Sequence, residues 1–465
     1  MSITWLLVAI CAYYVCLHGI YLLLIVLGAT QLRRYQLGIS FGEFQRIANS
    51  PLTLPFSVIV PAYNEEKVIV SSVLGALNLI YPQHEVIVVN DGSDDATLQM
   101  LIDRFALRRV NKVCQVRFKT QPVRGIYESS EFPKLIVIDK ENGHRADAIN
   151  AAVNFSSYPM LCIMDADCVF EDDALLRIIR PFLHSNRVIA AGGIVRPANG
   201  LEVRDGRIVS HGLPRGYLPL LQTVEYLRSF QWARLGLAKL RSMLCVSGAF
   251  LVIKKDVFVD MGGVDPEAIT DDIDVTVRLH RYIYERKGAR LQIAYIPDPV
   301  CYTEVPETWR VHAAQRNRWQ RGTLQTLLKH WRMTFNPRYG ITGLFGMPFF
   351  LIFEGFAAVV EGLSYVLIPI VYLMGLATLE QFLLFFVLAI LLGTFLSVTA
   401  VLLQEGTRLR PTRTRDMVRL LLAGLVENFG YHQLHLVWRV AGTFDYLVRG
   451  RRDLGLMERY GTYQR

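Results

Sequence analysis

Pairs of carboxylates at the ends of apolar runs are the first feature of this 465-residue chain that could do chemistry. Asp165-Ala166-Asp167 follows the run Met160-Leu161-Cys162-Ile163-Met164. Two carboxylates one residue apart, at the end of a buried strand, suit a hard divalent cation. Mg2+ or Mn2+ prefers oxygen ligands and commonly takes one or two carboxylates plus phosphate oxygens of a substrate. A solvated turn, or the cap of a helix starting near Glu171-Asp172-Asp173, is the competing reading. Asn90-Asp91-Gly92-Ser93-Asp94-Asp95 also closes an apolar run. Asp91 can accept hydrogen bonds from a base or ribose, and Gly92 allows close backbone approach. Taken alone, an ordinary strand-to-helix turn capped by Ser93 or Asp94 is the simpler account.

Three further clusters concentrate charge, two of them at a helix start. Lys140-Glu141-Asn142-Gly143-His144-Arg145 opens a helix running through 148–153, and two cations at a helix N-terminus favour a diphosphate. A capped helix with a solvated basic turn is the bland alternative. Thr270-Asp271-Asp272-Ile273-Asp274 precedes a second helix. An Asp held there could act as a general base, or the carboxylates could simply complement the helix dipole behind a Thr270 cap. Gln315-Arg316-Asn317-Arg318-Trp319 is dense in Arg and carries an indole. Its Arg side chains can neutralise phosphate and its Trp can stack on a sugar. A basic amphipathic helix at a membrane surface has the same composition.

These clusters need a scaffold, and the apolar runs supply it. Runs at 57–60, 86–89, 135–138, 161–164 and 188–191 are short, apolar throughout and bounded by turn residues. Strands buried on both faces look like this, so a largely parallel sheet covered by helices is expected over 50–300. Ligands of open α/β sheets bind beyond the carboxyl ends of the strands, where the polar clusters fall. G-x-G-x-x-G and G-x-x-x-x-G-K-[ST] signatures do not occur.

Composition sets the surroundings. The chain is 52% hydrophobic and 20% charged, which excludes disorder, and its 34 Gly and 19 Pro follow no fibrous period. A mean hydropathy of +0.28 argues against a fully soluble protein. Residues 5–29 carry no charged side chain, only His18, and are long enough to span a bilayer. They are read as an anchor rather than a removed signal peptide, with Arg33 and Arg34 marking the cytoplasmic side. Apolar character returns at 344–376, which holds Glu354 and Glu361, and at 382–403. The arginine-rich loop 407–419 follows on the cytoplasmic side. Residues 417–447 form either another span or an interfacial helix. Glu354 and Glu361 are functional candidates, or they lie at the membrane interface where carboxylates are cheap. Net charge is +9, and its clustering beside apolar segments favours membrane lipids, not nucleic acid, as partner. Seven Cys with no C-x-x-C pair read as reduced cytosolic thiols.

Together, in this order, Pro61-Ala62-Tyr63-Asn64-Glu65, Asn90-Asp91-Gly92-Ser93, Asp165-Ala166-Asp167, Ser247-Gly248-Ala249, Thr270-Asp271-Asp272 and Gln315-Arg316-Asn317-Arg318-Trp319 resemble the membrane-integrated family 2 glycosyltransferases. The chain looks most like the poly-N-acetylglucosamine, hyaluronan and cellulose synthase group. The resemblance implies an α/β GT-A (Rossmann-like) cytoplasmic domain with flanking transmembrane α-helices. It implies a UDP-sugar donor and Mg2+ or Mn2+. Asp91 then holds uracil or ribose, with Ala62, Glu65 and Asn90 lining that pocket. Asp167 binds the metal with Asp165 nearby on the donor. Lys140, Arg145, Gln315 and Arg318 meet the diphosphate. Asp272 is the general base, with Asp271 the other candidate. Ser247, Gly248 and Trp319 face the acceptor. Three positions depart from the family pattern: Asp271 replaces a usual Glu, His144-Arg145 replaces Gly-Lys, and Asn90 replaces the first Asp of D-D-G.

The expected organisation is an anchor over 1–32, a catalytic domain over 50–330, interface and membrane helices over 331–406, and a basic loop with a terminal helix over 407–465. The expected activity is inverting transfer of N-acetylglucosamine or glucose to a growing β-linked polysaccharide, at the inner face of a bacterial membrane and with secretion partner proteins. Single transfer to a membrane lipid, such as ceramide or a polyprenyl phosphate, is the nearest rival. A non-enzymatic sugar-nucleotide sensor would not need the base.

Overall fold

A computed structural model describes residues 2–37, 44, 46–48, 50, 53–287, 290–405, 413–453 and 461. Arg408 and Arg410 of the expected basic loop lie outside the described residues. The chain divides into two compact units. One draws on residues 38–215, 245–305 and 458–465, the other on 1–37, 216–244 and 306–457. Residues 216–244 and 306–330, read from the sequence as part of one continuous 50–330 domain, therefore group with the helical unit.

The first unit is built on one sheet. Its strands are β1 (Phe56–Ala62), β2 (His84–Asn90), β3 (Arg108–Val110), β4 (Val123–Glu128), β5 (Leu135–Lys140), β6 (Met160–Met164), β7 (Cys168–Phe170), β8 (Val188–Pro197), β11 (Phe250–Lys254) and β12 (Gln292–Thr303). A separate hairpin pairs β9 (Glu202–Arg204) with β10 (Arg207–Ser210). The ten-stranded order is β3-β4-β5-β2-β1-β6-β11-β8-β12-β7. Every residue of β1, β2, β5 and β6 is buried, as the uninterrupted apolar runs require. Burying each Val or Ile of these strands contributes about 1.5–3 kcal/mol.

The expected parallel sheet is found only in part. β5, β2, β1 and β6 run parallel, as do β8 and β12. β4 pairs antiparallel with β5, β11 with both β6 and β8, and β7 with β12. The sheet is thus mixed α/β, with its parallel block in the middle.

That block aligns the polar clusters. Parallel register sets Ala62 beside Asn90, and Asn90 beside Asp139. Asp165-Ala166-Asp167 carries the chain from β6, in the middle of the sheet, to β7 at its far edge. The turn thus lies at the carboxyl end of a central strand, where ligands of open α/β sheets bind.

The helical unit holds the apolar segments. Trp5–Gln36 and Leu379–Gln404 are long and apolar enough to cross a membrane. The expected span over 344–376 is a pair, Thr342–Gly355 and Ala357–Leu373, bent by 42°. Residues 417–447 do not form one rod. Helices Thr414–Val426 and Tyr431–Leu447 are parted at Gly430, whose φ of 96° ends regular helix. Among the described residues the candidate spans number two, or three with the bent pair counted as one, which meets the lower of the three or four expected. Both candidate carboxylates are paired inside this unit. Glu361 is buried and meets His432 at 2.9 Å. Glu354 accepts from Tyr21 at 2.5 Å and lies 3.8 Å from Arg439.

The register at the end of β2 explains one departure from the family pattern. Asn90, buried, donates through Nδ2 to the Asp139 carboxylate at 2.7 Å. An Asp in its place would set two carboxylates against each other. Asn90→Asp is therefore expected to cost about 1–3 kcal/mol at neutral pH, read as a lower melting temperature of the purified protein. Unchanged melting would refute this pairing.

Candidate active site

Two adjoining loops are stitched together at the carboxyl ends of β1 and β2. The Asn64 amide donates to Ser93 Oγ at 3.0 Å, and the Asp94 amide to Asn64 Oδ1 at 2.9 Å. The Glu65 amide donates to Thr97 Oγ1 at 2.9 Å. Ser93 and Asp94 thus bind the neighbouring loop, and the following helix, Thr97–Phe105, starts beyond them. Ala62 is buried, and its carbonyl accepts from the Asp91 amide at 2.9 Å.

Asp91 is buried and accepts from Lys140 Nζ at 2.6 Å and from the Gly143 amide at 3.1 Å. Lys140 also meets Asp147 Oδ2 at 2.6 Å and donates to the Glu141 carbonyl at 2.5 Å. Its side chain is 0% exposed. All three ammonium hydrogens therefore have partners inside the protein. Where the sequence suggested contact with a diphosphate, the structure places the Lys140 ammonium against Asp91 and Asp147. Two glycines make this approach feasible. A Cβ on Gly92, at φ +67°, would sit 2.8 Å from the Asn142 amide nitrogen, and one on Gly143 would sit 2.5 Å from Asp147 Oδ2. Asp147 was not singled out from the sequence. Its place in the first turn of helix His144–Phe155 looks there like ordinary dipole compensation.

Arg145 gathers a second cluster. Its Nε donates to Asp165 Oδ1 at 2.8 Å, one terminal nitrogen pairs with Asp271, and the other donates to the Gly248 carbonyl at 2.8 Å. One guanidinium thereby joins the β6–β7 turn, the Ser247-Gly248-Ala249 loop and the start of helix Asp271–Tyr282. Thr270 stands at the cap position of that helix, but its hydroxyl makes no cap bond and has no hydrogen-bond partner among the described residues. Asp272 is half-buried. Its Oδ1 accepts from the Ile273 amide at 2.8 Å, and Oδ2 lies 3.5 Å from Cys245 Sγ. Nothing in the sequence marked Cys245 as a neighbour of this carboxylate.

Asp167, almost fully buried, accepts from Thr303 Oγ1 at 3.4 Å and from Cys168 Sγ at 3.6 Å. Asp165, Asp167 and Cys168 offer ligand atoms that all lie within 4.8 Å of one another. All seven cysteines are free.

Gln315, Arg318 and Trp319 belong to the helical unit. They share helix Trp309–Lys329, capped by Thr308, at spacings that put them on one face. Gln315 is buried, and its Oε1 has no hydrogen-bond partner among the described residues. The Trp319 ring lies 4.3 Å from the Arg316 guanidinium, which is itself buried against Glu225 at 2.8 Å.

The mixed sheet with its acidic crevice and flanking apolar helices is a GT-A-like fold. A solved structure shares it: a mannosyltransferase from Pyrobaculum calidifontis in complex with GDP-Man and Mn2+, at TM-score 0.50 and 16% identity, covering 94% of this chain and 100% of that one. The family model described as glycosyltransferase like family 2 matches residues 54–322, and the chain belongs to that family. A chitin synthase model matches residues 278–432. Poly-beta-1,6-N-acetyl-D-glucosamine synthase of Staphylococcus epidermidis is 28% identical over 282 residues, which is 61% of this chain and 58% of that protein. The protein of the same description from Staphylococcus aureus is 27% identical over 281 residues, 60% of this chain and 57% of that one. The match thus spans under two thirds of these relatives' length.

Lys140→Met would leave Asp91 and Asp147 buried without their counter-ion, at a cost of about 3–5 kcal/mol. Burial pushes the Asp91 carboxyl above the usual carboxylate range, and Lys140 offsets part of that rise. A carboxyl holding its proton more tightly folded than unfolded contributes stability that is full at low pH and is lost as pH rises through its raised folded value. The deficit of Lys140→Met is therefore expected to be larger near about pH 8 than near about pH 5 in thermal melts. An equal deficit at both would count against this account of Asp91.

His144 holds φ at +68°, in the left-handed region, at a position where the related synthases often have Gly. That conformation costs about 1–2 kcal/mol for a residue with a Cβ. Glycine's extra chain entropy returns about 0.5–1 kcal/mol of it. His144→Gly should raise stability by about 0.5–1 kcal/mol, seen as a small upward shift in melting temperature. A downward shift would show that the imidazole makes a stabilising contact.

Proposed function

We propose that this chain is an inverting transferase that moves N-acetylglucosamine or glucose from a UDP-sugar to a growing β-linked polysaccharide. It would act at the inner face of a membrane, coupled to export with secretion partner proteins. The single observation that carries the reading is Arg145, which brings Asp165, Asp271 and Gly248 together beside Asp272. The matches to poly-N-acetylglucosamine and chitin synthases support the polymer product.

Asp272 is the general base in this reading. Arg145 engages Asp271, and a carboxylate held by a guanidinium is a poor proton acceptor. Asp272 takes the proton of an acceptor hydroxyl as that oxygen attacks the donor's anomeric carbon. Asp91, Ala62, Glu65 and Asn90 form the nucleoside end, with Lys140 fixing Asp91. Ser247 and Gly248 stand by the acceptor. The roles of Gln315, Arg318 and Trp319 on diphosphate and acceptor sugar rest on their motif.

Asp165 and Asp167 fit a divalent cation. Their carboxylate oxygens lie close together and suit Mg2+ or Mn2+, which take oxygen ligands. Bound there, the cation would neutralise charge on the leaving UDP.

The test is UDP release by the purified full chain in detergent, with Mg2+ or Mn2+ and each of several UDP-sugars, with products sized. One donor should support release and a long product. Asp272→Asn should lower turnover by about 10²–10⁴-fold while UDP binding persists. A product of one sugar on lipid would replace the polymer reading. Full activity in Asp272→Asn would remove it as base, and no release with any donor would overturn the proposal.

A further inference from the structure

The turn that carries Asp272 is gripped twice by one loop. Asp272 is the second residue of helix Asp271–Tyr282, and Thr276 lies one turn further on, fully buried. The Thr276 hydroxyl donates to the Asp272 carbonyl at 2.7 Å and accepts from the Val246 amide at 3.0 Å. The adjoining Cys245 thiol, half-buried, donates to Asp272 Oδ2 at 3.5 Å.

A helical Thr that bonds the carbonyl four residues back is commonplace. The second bond of Thr276 is not local. It takes an amide from the segment just ahead of β11, and a buried amide needs an acceptor. Packing fixes where that amide stands: Val246 is buried, and a Cβ on Gly192 of β8 would meet its Cγ1 at 2.3 Å. The loop then runs on against the base, since a Cβ on Gly248 would stand 3.4 Å from Asp272 Cβ. One hydroxyl thus sets the register between the loop that holds Ser247 and Gly248 and the turn that holds Asp272. Cys245 adds a weak donor on the carboxylate itself.

We propose that Thr276 and Cys245 are positioning residues for the transfer step. Thr276 locks the 245–248 loop to the base-bearing turn, and Cys245 fixes the rotation of the Asp272 carboxylate. The inference rests on the reading of Asp272 as general base with Ser247 and Gly248 on the acceptor side. Misplacing a reacting group by about 1 Å costs as much as about 10²-fold in rate. The donor's nucleoside end is assigned to the separate cluster around Asp91, so loss of the clamp should fall on turnover and not on UDP binding.

The experiment measures UDP release by the purified full chain in detergent, with the UDP-sugar that supports turnover, beside its affinity for UDP. Thr276→Val removes the hydroxyl and keeps the shape. It should lower kcat by about tenfold or more, with KM for the donor and Kd for UDP within about twofold of wild type. Thr276→Ser keeps the hydroxyl, loses a methyl and should stay within about threefold of wild type. Cys245→Ala should lower kcat by about threefold or more, and Cys245→Ser, which keeps a donor, should restore most of it. Wild-type kcat in Thr276→Val or in Cys245→Ala, with Asp272→Asn inactive, would overturn the inference and leave the base reading standing. An equal loss in Thr276→Val and Thr276→Ser would assign the effect to the methyl and overturn it as well. If Thr276→Val binds no UDP, the Cys245 pair decides alone. Full activity in Asp272→Asn, or no release by wild type, would overturn the base reading and the inference together.

Discussion

A buried ammonium between two carboxylates organises the crevice. Lys140 ends β5, Asp91 follows β2, and Asp147 lies in the first turn of the next helix. Burying three charges costs several kcal/mol per ion before any attraction is counted, and such groups are tolerable only when each finds its partners. Here they do. The geometry then dictates its surroundings: Asp91 must approach Gly143, and the chain at 92 and 143 has no room for a side chain. The neighbouring Asn90–Asp139 pair follows from the same crowding of acids, since a second carboxylate there would need yet another cation.

The central strands could be read directly because both their faces are buried. Continuous apolar runs located β1, β2, β5, β6 and β8. The missed strands fail that test for definite reasons. β4 is mostly exposed or half-buried, so its residues show no apolar run. β3 and β7 have three residues each, too few to show a period. β11 is the exception, since its residues are as apolar and buried as those of its neighbours; what no local pattern records is that it runs antiparallel to β6 and β8. The break at Phe356 in the bent pair was similarly invisible, because the residues on both sides are equally apolar.

Site residues were legible as types and illegible as partnerships. The sequence identified Asp91, Asp165, Asp167, Asp271, Asp272, Lys140 and Arg145, but treated the two cations as equals. The fold separates them. Lys140 ends a strand whose neighbours bury it, so its charge is used within the protein. Arg145 is the second residue of helix His144–Phe155, 27% exposed at its side chain, and reaches across to two loops and a helix start. Asp271 and Asp272 also separate only in space: one residue's shift turns the first toward Arg145 and leaves the second beside Cys245.

Charge balance links these details to the proposed donor. The crevice residues Asp91, Asp147, Asp165, Asp167, Asp271 and Asp272 carry six carboxylates against Lys140 and Arg145. Lys140 is fully enclosed by its own pair, and Arg145 already serves two acids. A donor carrying a diphosphate brings more negative charge into a space that is acidic before it arrives. In a partly water-excluded crevice, charges about 4 Å apart interact by about 4 kcal/mol at an effective dielectric near 20. Such repulsion cannot be met by rearranging two engaged side chains. In the proposed reading that repulsion is met by added positive charge held by the acids themselves, and Asp165 and Asp167, between β6 and β7, are the pair that would hold it.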